Sequence, residues 1–357
     1  MNSRPALSGI CRASGLLAAT LLTSTLALAD QSGRPTLVLT SSNDASTNSV
    51  LVFELQNGRT PTLSLVQALP TGGSGGAGGN GGILQFADDG GAVANFGSNT
   101  VSRLSRSDDL ISVNGTIALA AGCLHPDSVA LSHGRLYVVG ANCAESHRWP
   151  DGAADPGVVA LPDSSAAQIA AGSTWAAVTL KSGSVLRLPL APGGALSGGS
   201  MQVSLPGSAN NTPLGAAFWG DLLGFTPAHS ADSFALVNHE GDVFPVAGPT
   251  PPFPTNAPCW VAKGRGNIWY TGNSPGMAIS IFFSDGEGGV FYKSLPLPGV
   301  VTDLAVSPDG RWLAAIYSAG GSGFVAVLAI DAYGDLTPVA STSAIGVAAF
   351  SGVAISQ

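Results

Sequence analysis

Apolar runs of strand length recur along the chain, each followed by a small polar loop of Gly, Ser or Asn and then by a second, alternating strand. Seven segments read this way: Thr36 to Leu55, Gly91 to Ser105, Gly134 to Leu161, Ser173 to Leu190, Asp221 to Val237, Asn267 to Phe283 and Arg311 to Ile330. With Leu37, Ala92, Leu136, Trp175, Leu222, Ile268 and Trp312 as equivalent positions, the spacings are 55, 44, 39, 47, 46 and 44 residues. A period near 45 with about four strands per unit predicts an all-β propeller, one blade per repeat.

Most units carry a leading strand as well: Gly82 to Asp88, Pro126 to Ser132, Gly215 to Trp219, Pro258 to Lys263 and Val301 to Ser307. In the fourth unit the leading strand, near Ala166 to Ala171, is poor. The segment Gly346 to Ile355 reads as a leading strand without followers, and the chain proper starts at a second strand. Pairing the two ends in one blade closes a ring of seven and removes exposed sheet edges.

Composition agrees. Of 357 residues 48 are Gly and 24 Pro, only 10% are charged, and Glu and Lys, the usual surface residues of helices, number four and three. Residues 1–29 read as a secretory signal: Arg4 and Arg12 without an acid, an apolar stretch over 13–28, then Ala27-Leu28-Ala29. Its apolar core is shorter than the ~20 residues of a membrane span. Residues 30–357 are then the propeller, exported to the periplasm or outside the cell, with no membrane span and a monomer as the expected state. Removal of the signal leaves 12 basic against 22 acidic residues, a balance that repels nucleic acid.

In a four-stranded blade, the loops from second to third strand share a face with the connections to the next blade. Longer loops are expected on that face: Thr71 to Gly82, Asn142 to Pro156, Ala209 to Pro213, Pro227 to Asp232 and Pro249 to Pro258. The richest is Asn142 to Asp155. Glu145, His147 and Asp151 offer acid/base groups or ligands for a divalent ion, with His125 arriving from the adjacent loop. Arg148 offers a cation to substrate, and Trp149 and Trp260 offer stacking surfaces. A solvated insertion with a Glu145–Arg148 ion pair is the competing reading, and no spacing matches a known metal or triad signature. Export favours a disulfide, expected between Cys123 and Cys143 at one rim of the third blade; Cys143 with Cys259 is the competing pair.

Ile330-Asp331-Ala332-Tyr333-Gly334-Asp335-Leu336-Thr337, after Ser307-Pro308-Asp309-Gly310-Arg311, resembles the repeat of the lactonase-like seven-bladed propellers, which include sugar-phosphate lactonases and carboxymuconate cyclases. His125-Pro126-Asp127-Ser128-Val129 is similar to the His-Pro element that opens blades there, and Ser284-Asp285-Gly286-Glu287-Gly288-Gly289 to its outer turn. The resemblance implies a channel-facing His125 and a small lactone or related cyclic carboxylate as substrate. The family's channel arginines have no counterpart here beyond Arg148. Two expectations follow: a lactonase-like or cyclase-like enzyme using His125 and His147, which requires those rings to converge in one pocket, or a non-catalytic propeller binding a protein, glycan or small ligand.

Overall fold

The computed structural model describes residues 33–56, 58, 60–88, 90–229, 233–246, 257–346 and 350–357. They form seven four-stranded antiparallel sheets. Blade 1 joins β28 (Ser351–Ser356) to β1 (Thr36–Ser41), β2 (Ser49–Gln56) and β3 (Thr62–Pro70). Blade 2 is β4–β7 (Leu84–Ala87, Gly90–Asn95, Thr100–Ser107, Leu110–Ala118), and blade 3 is β8–β11 (Pro126–Ser132, Arg135–Gly140, Cys143–Arg148, Ala154–Ala160). Blade 4 is β12–β15 (Ala166–Ala171, Trp175–Leu180, Ser184–Pro189, Met201–Val203), and blade 5 is β16–β19 (Pro213–Trp219, Leu222–Pro227, Phe234–Val237, Val243–Val246). Blade 6 is β20–β23 (Pro258–Lys263, Ile268–Asn273, Ala278–Ser284, Gly289–Pro296), and blade 7 is β24–β27 (Val300–Val306, Trp312–Ala319, Ser322–Ile330, Leu336–Ser341). The expected signal segment lies outside the described residues.

The ends close the ring as the repeat count requires. β28 pairs antiparallel with β1, from Leu37 opposite Ser356 to Ser41 opposite Ser351. The innermost strands touch in the cyclic order β4, β8, β12, β16, β20, β24, β28 and surround a channel. Alternation along each strand sends side chains to the two neighbouring blades in turn. In β1, Leu37 and Leu39 pack with blade 2, while Val38 packs with blade 7. Both sides of a blade are therefore buried, and its middle strands read as continuous apolar runs; each fully buried Leu or Ile contributes roughly 1.5–3 kcal/mol. The alanine-rich β12 forms because Ala167 and Ile169 are fully enclosed between neighbours, a packing effect that its weak strand propensity conceals.

One irregularity recurs. Six of the seven inner strands carry a bulge near their first residues: at Asp127, Ala167, Leu214–Gly215, Cys259, Thr302 and Gly352. The side chain after several of these bulges then stitches neighbouring inner strands. Gln168 exchanges two 3.0 Å hydrogen bonds with the backbone of Ala216, accepting from its N–H and donating to its C=O. Ser128 accepts from the Ile169 N–H and donates to Gly82 O. Asp303 accepts from Leu304 N at 2.8 Å and from the backbones of Gly82 and Val353. Free backbone edges in the channel thus acquire partners that a β-ladder does not supply.

Candidate functional site at the channel mouth

The bulged ends lie on the face that carries the long loops. His125, Thr212 and Ala257 each precede a proline that opens an inner strand, and each sits in the left-handed region at φ 52°, 56° and 56°. That conformation costs about 1 kcal/mol or more per residue outside glycine. At His125 it is held by an N–H donated to Asn99 Oδ1 at 2.7 Å and by the ring stacked on Phe96, with centroids 4.5 Å apart. Nδ1 lies 3.1 Å from the Phe96 carbonyl oxygen, which only accepts, so in the neutral ring Nε2 keeps its lone pair.

The run Thr71 to Gly82 crosses this mouth. A side chain at Gly81 would collide with Gln168 of blade 4 and touch Trp260 of blade 6, and one at Gly82 would meet Ser128 of blade 3. Only glycine lets the backbone approach three blades at once. The segment is anchored by Asn80, which is 1% exposed. Its amide nitrogen donates to Asp127 Oδ1 at 2.5 Å, and its amide oxygen accepts from Lys181 Nζ at 2.5 Å. Lys181 comes from the second-to-third-strand loop of blade 4. Burial pushes the Asp127 carboxyl up to about 6, against the opposing pull of Lys181, Asn80 and His125. Burial also lowers the Lys181 ammonium, against the pull of Asp127. A raised acid and a lowered base thus contact one buried amide.

The other expected residues are placed elsewhere. Residues 143–148 form a strand, not a loop, and carry the chain from one face to the other. His147 pairs with Leu136 while Pro126, next to His125, pairs with Gly140. Four residues at ~3.3 Å each separate the two histidines by about 13 Å along the strands. They do not converge. His147 and Glu145 are each 3% exposed and face one another, with Nε2 2.9 Å from Oε1. Glu145 Oε2 accepts from the Ala120 N–H, and His147 Nδ1 lies 3.3 Å from Gly152 O. Polar residues sit in this strand because each finds a partner there, and that mutual satisfaction is what the hydrophobic pattern does not display.

Arg148 ends β10, and with Trp149 and Asp151 of the following turn it lies on the opposite face, where Arg148 and Asp151 form an exposed pair at 3.7 Å. Glu145 therefore pairs with His147, not with Arg148. Trp260 is buried, and its Nε1 donates to Val301 O at 2.9 Å, so the indole is a wall between blades 6 and 7 behind the glycine segment. The disulfide is Cys123–Cys143, and Cys259 is free. Among the described residues, the donors of Cys123, Cys143 and Glu145 lie within 4.8 Å of one another. This arrangement is compatible with a metal only when the sulfurs are reduced, because a disulfide offers no thiolate. The expected loops 227–232 and 249–258 fall partly outside the described residues.

Sequence reasoning passed over Asp127, Asn80 and Lys181. Lys181 carried a usable signal: it is one of three lysines and sits in a loop of the decorated face.

No protein-family profile and no curated protein matches the chain. Solved structures do. A Lactobacillus plantarum protein superposes with TM-score 0.68 at 14% identity, covering 91% of this chain and 100% of its own. The periplasmic gluconolactonase of Pseudomonas aeruginosa gives 0.64 at 16% identity, covering 90% and 98%. Virginiamycin B lyase of Staphylococcus aureus gives 0.55 at 14% identity, covering 78% and 94%. The chain thus has the seven-bladed fold of the lactonase-like propellers. A lactonase and a lyase share that architecture, so the reaction rests on the site and not on the fold.

Proposed function

We propose that this protein is an exported lactonase-like enzyme that opens a lactone or a related small cyclic carboxylate at the channel mouth, with Asp127, Lys181 and His125 as its working groups. The observation that carries this reading is the Asn80 amide. Its oxygen accepts from Lys181 and its nitrogen donates to Asp127. A bound lactone and its attacking water present the same pattern, an acceptor carbonyl toward the ammonium and a donor O–H toward the carboxylate. When the glycine segment withdraws Asn80, Lys181 holds the carbonyl oxygen and stabilises the oxyanion, while Asp127 takes the proton of the water. The protonated Asp127 then returns that proton to the leaving ring oxygen. A carboxyl near 6 suits both halves of the exchange. The nearby His125 ring favours the ionised form of Asp127 when it is charged. The Cys123–Cys143 bond is compatible with export.

A panel of γ- and δ-lactones followed by acid release tests this. Asp127→Asn and Lys181→Met are expected to lower kcat/KM at least 100-fold with folding intact, and Asn80→Ala to leave turnover in place. Absence of turnover by the unaltered protein, or full turnover by both variants, sinks the proposal. The closed state of the site, with Asn80 engaging both charged groups, favours a second reading: a decorated face that binds a ligand without turning it over.

A further inference from the structure

On the face opposite the decorated loops, blades 2 and 3 enclose a groove of about 710 Å3. It is walled by the first turn of each blade, by Arg103 and Asn114 of blade 2, and by the turn 149–151 of blade 3. From these residues we infer a binding site for a neutral oligosaccharide of two or three sugar units, separate from the channel mouth.

Three properties point to that class. First, Trp149 gives the groove an indole surface, and a wide apolar ring with one N–H suits the C–H face of a pyranose. The indole lies against Gly90, where any Cβ would approach it to 3.0 Å. The turn is also fixed: Trp149 N donates to Gly134 O at 2.9 Å, and Arg103 Nη1 donates to Pro150 O at 3.0 Å and Asp151 O at 3.2 Å. A rigid platform loses little entropy when it binds. Second, the charges cancel. Among the lining residues Arg103 and Arg135 stand against Asp88 and Asp151, with Arg135 paired to Asp155 and Asp151 to Arg148, two residues outside the lining. Two of the eleven arginines thus line the groove, matched by two carboxylates among its described lining residues. The groove therefore presents donors and acceptors in both senses, as hydroxyls require, and no net field to select an anion. Third, the volume lies in the range of small-ligand sites and exceeds that of a single sugar.

Titration with neutral di- and trisaccharides, read by tryptophan fluorescence and calorimetry, tests the inference alongside the same sugars carrying a uronate. Binding of a neutral oligosaccharide is expected, weakened at least tenfold in Trp149→Ala and a few-fold in Asn114→Ala. Because Trp149 also packs against the blade 2 core, Asp88→Ala, at an exposed turn, serves as a second variant and should weaken binding a few-fold with the circular-dichroism spectrum of the fold retained, the left-handed φ of 50° there costing Ala only about 1 kcal/mol. No neutral sugar bound at 10-millimolar order, uronates preferred over neutral sugars, or affinity untouched in Trp149→Ala and Asp88→Ala would each overturn it. Lactone turnover should persist in Asp88→Ala, so failure here leaves the channel-mouth proposal to its own test.

Discussion

Removing the Cys123–Cys143 bond by Cys123→Ala/Cys143→Ala is expected to lower stability by an amount that follows from chain geometry. The cysteines are 20 residues apart. A cross-link of that span removes about 11 cal/mol/K from the unfolded chain, about 3.3 kcal/mol at 25 °C. Both side chains are buried, at 4% and 3% exposure, so truncation adds a small loss of contact. Unfolding entropy near 2.1 cal/mol/K per residue over roughly 325 residues converts 3.3 kcal/mol into a fall of about 5 °C in Tm. The consequence reaches the site, because Cys123 lies two residues before His125 and holds the start of β8 against β10. The assay is thermal melting by circular dichroism, with and without a dithiol reductant. The unaltered protein should lose about 5 °C on reduction, the double variant should melt there already, and Cys259→Ala should behave like the unaltered protein. A reductant effect that disappears in Cys259→Ala, or no effect in the unaltered protein, would refute the reasoning.

Two further outcomes can be measured. Burial pushes the Asp303 carboxyl up to about 7, so the folded state holds a proton that the unfolded chain releases near 4. Its contribution is complete below pH 4 and is lost as pH rises to 7, a decline on the order of 4 kcal/mol that denaturant midpoints at pH 4.5 and 7.5 would register and Asp303→Asn should flatten. His147→Ala leaves the buried Glu145 without its ring partner and should cost about 2 kcal/mol of stability in chemical denaturation, while kcat at the channel mouth stays unchanged.

The propeller was legible because its repeat is made of burial, and burial is what apolar periodicity records. Pro126–Ser132 and Pro258–Lys263 were bounded to the residue because proline and the preceding loop punctuate them. β12 was nearly missed because alanine carries little strand signal, and its burial depends on neighbours remote in sequence. Glu145 and His147 misled for the converse reason. A polar run reads as a loop, yet it forms a strand when its members satisfy one another in three dimensions. Asn80 comes from the connection into blade 2, Asp127 from blade 3 and Lys181 from blade 4, and only the packing of successive blades brings them together.

Ring closure also explains why so few residues can carry chemistry. An inner strand turns its backbone edge to the channel and its side chains to the neighbouring blades, so a regular ladder leaves the channel walls without functional groups. A bulge re-aims one side chain per strand, and bulges favour rims and active sites. The six bulged positions hold Asp127, Ala167, Leu214–Gly215, Cys259, Thr302 and Gly352. Alanine, leucine and the two glycines offer no ionisable group. Burial raises the Cys259 thiol, which keeps it protonated and a poor nucleophile, and Thr302 spends its hydroxyl on Ile316 O. Asp127 alone pairs a titratable group with a cation from another blade. Among the bulged positions Asp127 is therefore the one carboxylate set beside a cation, and turnover left intact in Asp127→Asn would place the reaction on other groups.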